Sequence, residues 1–327
     1  MKRTPTVTSK RLNNYESGFY MNEIKEKLLK PSKETHQDQI GHLISLVCIG
    51  FIGILVVAIL FFITTKGLAT FTTNHVSVID FFAKSDWSPS QKGPNGKPEV
   101  GALAMIVTSF AVTLLSAILA TPFAIAMALF MTEIAPKRGQ KILQPVIELL
   151  VGIPSVVYGF IGLMVLIPMV RTVFGGTGSG ILPATIVLFV MVLPTITSMS
   201  VDALKAVPRD YRSAALSLGA TRWQMMYKVV LRAATPGILT AMIFGMARAF
   251  GEALAVQMVI GNAVLMPTSL TSPTATLTSQ LTTQMGNTIM GTLPNNALWT
   301  LALVLLVMSL VFNVIVKLIG KRSAFKK

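Results

Sequence analysis

Two opposite charges stand four residues apart inside an otherwise uncharged apolar run. They are Arg248 and Glu252, and this spacing places two side chains on one face of a helix, where they can pair. A charge at membrane depth costs at least about 2.5–3.5 kcal/mol, so it faces protein or a watery cavity. The planar fork of an arginine matches a phosphate-type oxyanion. The pair therefore predicts either an anion gate, in which Glu252 holds the empty fork, or a permanent salt bridge.

A basic segment precedes this run along the chain. Residues 208–232 begin with Pro208, which suits a helix start, and contain Gly219, which is a helix C-terminal signal between two short amphipathic stretches. The pattern predicts a helix-turn-helix elbow between two membrane helices. The small residues Ala214 and Ala215 leave room for this elbow to seat in a groove of a partner protein.

The composition requires elements that cross a membrane. Of 327 residues 52% are hydrophobic and only 13% are charged, whereas soluble domains have about 25% charged residues. Six apolar runs are long enough for a hydrocarbon core that needs about 20 residues. The runs are roughly 43–63, 102–130, 143–170, 181–201, 234–262 and 297–316. The expected fold is an all-α membrane protein with six transmembrane helices.

The distribution of positive charge predicts the orientation. Of the 28 Lys and Arg residues, 22 lie in the segments 1–42, 131–142, 202–233 and 317–327, and only five lie in the alternate segments. The positive-inside rule therefore places both termini in the cytoplasm. The net charge of +15 is explained by topology, with anionic membrane lipid as neighbour and no nucleic acid as partner.

Several chemistries lack the residues that they need. Cys48 is the only cysteine, and the three histidines are scattered, so the sequence offers no metal site. Glu148 and Glu252 are the only acids in the six runs, which gives no catalytic constellation for an intramembrane enzyme. A Gly-rich phosphate loop ending in Lys-Ser or Lys-Thr is also missing, so the chain does not hydrolyse ATP. An ion channel is also disfavoured, because it would need no elbow that docks onto a partner protein.

The two longest loops outside these basic segments carry distinct patterns. Residues 64–101 include a turn signal and aromatic residues that are typical of an interfacial belt. Residues 263–296 have no charge, and Leu277, Leu281 and Met285 recur every four residues. This spacing predicts a short amphipathic helix lying on the outer surface. Residues 1–40 read as a loose polar tail.

The elbow resembles the EAA loop of permeases from ATP-binding-cassette (ABC) importers. The resemblance departs at Ser213, where the family usually has Glu, and at Arg232, where it usually has Pro. It implies that the elbow docks onto a cytoplasmic ATPase. The implied docking residues are Ser213, Ala214, Ala215, Gly219, Ala220, Thr221 and Arg222.

Three further segments resemble the phosphate-specific permease PstC. They are 245–262, 152–159 and 85–89, and the resemblance covers about residues 43–320. It implies a type I ABC importer permease fold in a bacterial or archaeal cell membrane, with Arg248 and Glu252 in the path of inorganic phosphate. The implied divisions are the tail 1–42, the first helix 43–63, the external loop 64–101, the five-helix core 102–320 and the tail 321–327.

The same resemblance implies a set of partners. These are a second permease like PstA, two copies of an ATPase like PstB and an external phosphate-binding protein like PstS. ATP is hydrolysed by the partners, and the chain itself binds no cofactor. The alternatives are a permease for phosphonate, sulfate or molybdate, or the PstA-type subunit itself.

Overall fold

The computed structural model describes residues 33–92 and 98–324, and in these ranges the chain is helical apart from one small hairpin and the connecting loops. The strands β1 (Trp87–Lys92) and β2 (Pro98–Val100) pair antiparallel. The helices are α1 (Lys33–Thr72), α2 (Val78–Ala83), α3 (Leu103–Leu129), α4 (Pro136–Gly152), α5 (Ser155–Ile161), α6 (Ile167–Phe174), α7 (Ile181–Lys205), α8 (Arg209–Ser217), α9 (Arg222–Gln224), α10 (Leu231–Gly251), α11 (Leu254–Ile260), α12 (Leu277–Gln284) and α13 (Leu293–Ala324).

Three π-helical turns make longer helices from some of these pieces. Phe130–Ile134 extends α3, Gly162–Leu166 joins α5 to α6, and Met225–Val230 joins α9 to α10. Six of the resulting helices within the described residues are long and apolar enough to cross a membrane. The predicted number of spans is therefore confirmed. Most of the predicted tail, residues 1–32, lies outside the described residues.

The predicted third span, 143–170, is wrong at its start. Helix α4 ends at Gly152, Ile153 is extended with ψ 126°, and α5 begins after Pro154. A proline lacks the amide hydrogen and disfavours helical geometry in the residue before it. The helix that can span the membrane is therefore Ser155–Phe174, and α4 is a separate amphipathic helix.

The predicted fifth span, 234–262, is wrong at both ends. A continuous helix runs from Arg222 to Gly251, so the second arm of the predicted elbow is the beginning of the span itself. The helix stops because Glu252 is extended, with φ −73° and ψ 122°. A separate short helix, α11, then follows.

The predicted helix in the last loop is present as α12, but it does not lie on the surface. Leu277, Ser279 and Gln280 are buried, and the helix packs against α3 and α13. Its first turn is fixed by a capping box between Thr276 and Ser279. The first turn of α12, within the uncharged loop, is therefore part of the packed interior.

The chain divides into two units, residues 1–62 and 63–327. In the second unit, three buried apolar clusters follow one another along α3, through Met105, Val112 and Met131. We call the end with Met131 the elbow end, because Ala215 of α8 belongs to that cluster. We call the end with Met105 the loop end, because Leu277 of α12 belongs to that one.

Close packing of α5 on α11 yields a first test. A Cβ atom at Gly159 would lie 2.8 Å from Cα of Ala255 and 2.8 Å from Sδ of Met258, whereas one at Gly152 meets nothing within 4 Å. We expect Gly159→Ala to destabilise the detergent-solubilised protein by about 1–3 kcal/mol, as overpacking does, and Gly152→Ala to change it little. Thermal unfolding of both variants checks this. Equal thermal unfolding midpoints for Gly159→Ala and Gly152→Ala would contradict the close approach of α5 and α11.

Candidate functional site

Arg248 lies in the last turn of α10, and its guanidinium reaches a neighbouring span. Its Nη1 donates to Oγ1 of Thr195 on α7 over 2.9 Å. Thr195 is ten residues before Lys205 and fourteen after Ile181, which places it roughly 15 Å from one end of α7 and roughly 21 Å from the other. The guanidinium is therefore held near the middle of the membrane-spanning part.

Most of the hydrogen-bonding capacity of Arg248 is unused by the protein. A guanidinium carries five N–H donors, and the bond to Thr195 is the only one that Arg248 makes among the described residues. The side chain is half-buried. A charged fork with free donors at this depth is suited to an oxyanion.

Glu252 does not pair with Arg248 in this structure, so the predicted pairing on one helix face is wrong. The helix ends at Gly251, which removes the four-residue geometry on which the prediction depended. Among the described residues no ion pair joins the two charges. Instead, Oε1 of Glu252 accepts a hydrogen bond from N of Ala255 over 3.1 Å. The carboxylate thus satisfies a backbone amide at the start of α11.

A small polar cavity lies beside Glu252. Its volume is about 10 Å³, and its lining combines Ser109, Thr113, Thr276 and Thr278 with apolar residues. This is room for about one water molecule, so the cavity does not admit an oxyanion of phosphate size.

Hydroxyl groups fix the last loop against the broken helix. Oγ1 of Thr278 donates to the carbonyl of Glu252 over 2.9 Å. Oγ of Ser109 on α3 accepts from N of Leu277 over 2.9 Å, and the hydroxyls of Thr108 and Thr274 lie 2.9 Å apart. Sequence reasoning missed these contacts. The adjacent polar residues 108 and 109 inside an apolar run are the signal that could have indicated them.

The turn of the elbow has the geometry that its sequence predicts. Gly219 has φ +80°, its N–H bonds to the carbonyl of Leu216 over 3.0 Å, and N–H of Ala220 bonds to that of Ala215 over 3.1 Å. These two bonds define a Schellman motif. Thr221 then caps the next helix through a capping box with Gln224.

The seven predicted docking residues divide between two faces. Ser213, Ala214, Gly219, Thr221 and Arg222 are exposed. Ala215 is buried in the chain's own elbow-end cluster, and Ala220 packs against that cluster. Of the adjacent alanines Ala214 and Ala215, only Ala214 therefore lies on the outer face.

Large apolar side chains share the exposed face of the elbow. Sequence reasoning missed Leu216, Leu218 and Trp223, of which Leu218 is 89% exposed. Apolar residues exposed on a projecting turn are typical of a protein interface.

Comparison with known proteins places this chain among transport proteins. Residues 120–324 match the family described as "Binding-protein-dependent transport system inner membrane component". The chain is 49% identical to the probable ABC transporter permease protein YqgH of Bacillus subtilis (strain 168), over 91% of this chain and 96% of that protein. It is 31% identical to the phosphate transport system permease protein PstC of Xylella fastidiosa (strain Temecula1), over 76% of this chain and 81% of that one.

Solved structures match the fold at low sequence identity. A bacterial alginate ABC transporter, crystallised with an alginate-bound periplasmic protein, has a TM-score of 0.59 and 14% identity, over 89% of this chain and 96% of that chain. The methionine ABC transporter MetNI in an inward-facing conformation has a TM-score of 0.53 and 22% identity, over 67% of this chain and 94% of that chain.

Proposed function

Because this chain belongs to the family of binding-protein-dependent transport system inner membrane components, we propose that it is the PstC-type subunit through which inorganic phosphate crosses the cell membrane. The coarser part of this assignment follows from the family. The chain is a multi-pass permease subunit of an ABC importer, it is not an enzyme, and it works with ATPase and substrate-binding partners. The predicted permease fold is likewise confirmed.

The availability of Arg248 is the observation that carries the proposal for an anion. The guanidinium is at mid-depth, is half-buried, and bonds only to a neutral hydroxyl among the described residues. A positive charge that is not paired with a carboxylate attracts a counter-anion more strongly in a medium of low dielectric constant than in water. Thr195 and Arg248 together present a hydroxyl and a fork to a tetrahedral oxyanion, and we place Glu252 beside the same path.

Phosphate is favoured over other oxyanions by the relatives. Several curated relatives at about 30% identity are phosphate transport system permeases named PstC. Phosphonate, sulfate and molybdate are the competing substrates. A PstA-type role for this chain is the competing assignment of the subunit.

The proposed partners follow from the same assignment. They are a PstA-like second permease, two copies of a PstB-like ATPase that hydrolyses ATP, and an external PstS-like phosphate-binding protein, with membrane lipid around the spans. The elbow docks the ATPase through its exposed apolar side chains. Ser213 contributes no charge to this contact, because its side chain is a neutral hydroxyl. The Oγ of Ser213 donates to the carbonyl of Asp210 over 3.1 Å, within the elbow itself.

Substitution of Arg248 tests the anion path. We expect Arg248→Lys to lower phosphate uptake by roughly tenfold or more, because a point charge does not replace the fork and one charge-assisted bond is worth about 1.5–3 kcal/mol. Arg248→Gln removes the charge and should abolish uptake while the complex assembles. Uptake is measured per assembled complex in cells that lack the native subunit, with sulfate, molybdate and phosphonate as competitors.

Glu252→Gln serves as the comparison. Glutamine keeps an acceptor for N of Ala255, so we expect this complex to assemble and to lose less uptake than Arg248→Gln. Normal uptake per assembled Arg248→Gln complex would end the proposal of an anion path. Stronger competition by sulfate, molybdate or phosphonate than by phosphate would reassign the substrate.

The Schellman turn of the elbow is a second point of test. A non-glycine residue at the backbone conformation of Gly219 costs about 1–3 kcal/mol. We therefore expect Gly219→Val to accumulate in the membrane but to lose the ATPase during purification. Gly286→Val is the matched control, because Gly286 is exposed, has no positive φ, and its Cβ would meet nothing within 4 Å. An ATPase retained at native stoichiometry by Gly219→Val would refute the docking role.

Thiol labelling tests the proposed orientation, in which the elbow end is cytoplasmic. In a Cys48→Ser background, Gly286→Cys at the loop end should react with an impermeant reagent in intact cells. Lys137→Cys should react only after the membrane is opened, because the basic segments stay inside. Both positions are exposed, and Cys48→Ser alone gives the blank. Labelling of Lys137→Cys in intact cells would reverse the orientation.

A further inference from the structure

An arginine on the elbow is bound to a carboxylate at the end of a different span. Nη2 of Arg212 lies 2.7 Å from Oε1 of Glu133, and its Nε lies 3.2 Å from both carboxylate oxygens. Arg212 belongs to α8, and Glu133 belongs to the π-turn that extends α3. Only 7% of the Glu133 side chain and 21% of the Arg212 side chain are exposed. The pair is therefore a largely desolvated link.

The same guanidinium also holds the end of α7. Nη1 of Arg212 donates to the carbonyl of Val207 over 2.7 Å, and Nη2 donates to that of Leu204 over 3.0 Å. Terminal carbonyls of a helix have no partner within the helix. One side chain thus joins the elbow helix to the ends of both α3 and α7.

A buried pair of this kind is a weak source of stability, because the cost of desolvating both charges offsets much of their attraction. The apolar cluster around Ala215, Met131 and Leu204 already packs the helices together at the elbow end. What the pair adds is a fixed relative orientation of α8, α3 and α7, because a guanidinium fork fixes the positions of all its acceptors. Lysine offers a single point charge and does not reproduce that geometry.

We propose that the Arg212–Glu133 pair is the joint that passes movement of the elbow to α3 and α7. This inference rests on the proposed docking of the ATPase at the elbow. The chain runs from the elbow into α9 and α10, so α10 moves with it by covalent continuity. The non-helical link from α7 to α8 includes Pro208, with ψ 145°, and Arg212 holds this link through the carbonyl of Val207. Arg212 is thus a positioning residue that keeps Thr195 on α7 in step with Arg248 on α10.

The test uses the complete complex, with both permeases and the ATPase in vesicles and the binding protein added. We compare Glu133→Gln and Arg212→Lys with Glu148→Gln, which removes an exposed carboxylate of α4. ATP hydrolysis and phosphate uptake are measured on the same vesicles. We expect the ATPase subunit to stay in the complex. We expect phosphate uptake per ATP hydrolysed to fall about twofold to thirtyfold, the range for substitutions along a coupling network. Glu148→Gln should keep the native ratio.

Each other outcome overturns the joint. An unchanged ratio of uptake to hydrolysis in assembled Glu133→Gln and Arg212→Lys complexes shows that movement passes elsewhere. Loss of the ATPase, or of the whole complex, in both variants shows that the pair serves only to fold the elbow. Failure of the docking proposal is separate, because it is read from retention of the ATPase by Gly219→Val with the Arg212–Glu133 pair intact.

Discussion

Hydrocarbon offers no hydrogen-bond partner to a backbone amide or carbonyl, and this constraint explains how the middle of the protein is built. The helix that carries Arg248 stops at Gly251, which leaves polar backbone groups inside the bundle. The side chain of Glu252 satisfies one amide, and Thr278 satisfies the carbonyl of Glu252. Thr278 reaches that place because Ser109 and its neighbours hold the last loop in the interior. The uncharged, threonine-rich loop is thus what the broken helix requires.

Because the helix breaks at Gly251, the two membrane charges have different hydrogen-bond partners. Glu252 is bound to backbone, whereas Arg248 is bound to the hydroxyl of Thr195 alone among the described residues. The C-terminal end of α10 favours a positive charge by its dipole, typically by about 0.3–1 kcal/mol. This is less than the cost of burying a charge at membrane depth, about 2.5–3.5 kcal/mol or more. In the proposed function, a bound anion reduces the remaining cost.

Some features of the sequence predict the structure because they are local. Apolar length indicates each span, and Gly219 indicates its own turn, since both depend on a few consecutive residues. The breaks at Pro154 and Gly251 were missed because hydropathy averages over a window and ignores backbone continuity. Within the candidate site, Arg248 is conspicuous as one of only two charges in an apolar run. Hydroxyl residues such as Thr195 are common in membrane helices, so sequence alone does not single out the partner of Arg248.

The elbow and the arginine belong to one continuous helix, Arg222–Gly251. A helix transmits movement along its axis. At about 1.5 Å per residue, Arg248 lies some 39 Å along this helix from the turn of the elbow. Thr195 lies on a different helix, α7, which connects to the elbow through the short non-helical link 206–208. Movement of the elbow therefore changes the distance between Arg248 and Thr195 unless α7 is tied to it. In the proposed joint, the covalent connection through α9 and α10 and the ionic connection through Arg212 together move α10 and α7 with the elbow and preserve the Arg248–Thr195 contact.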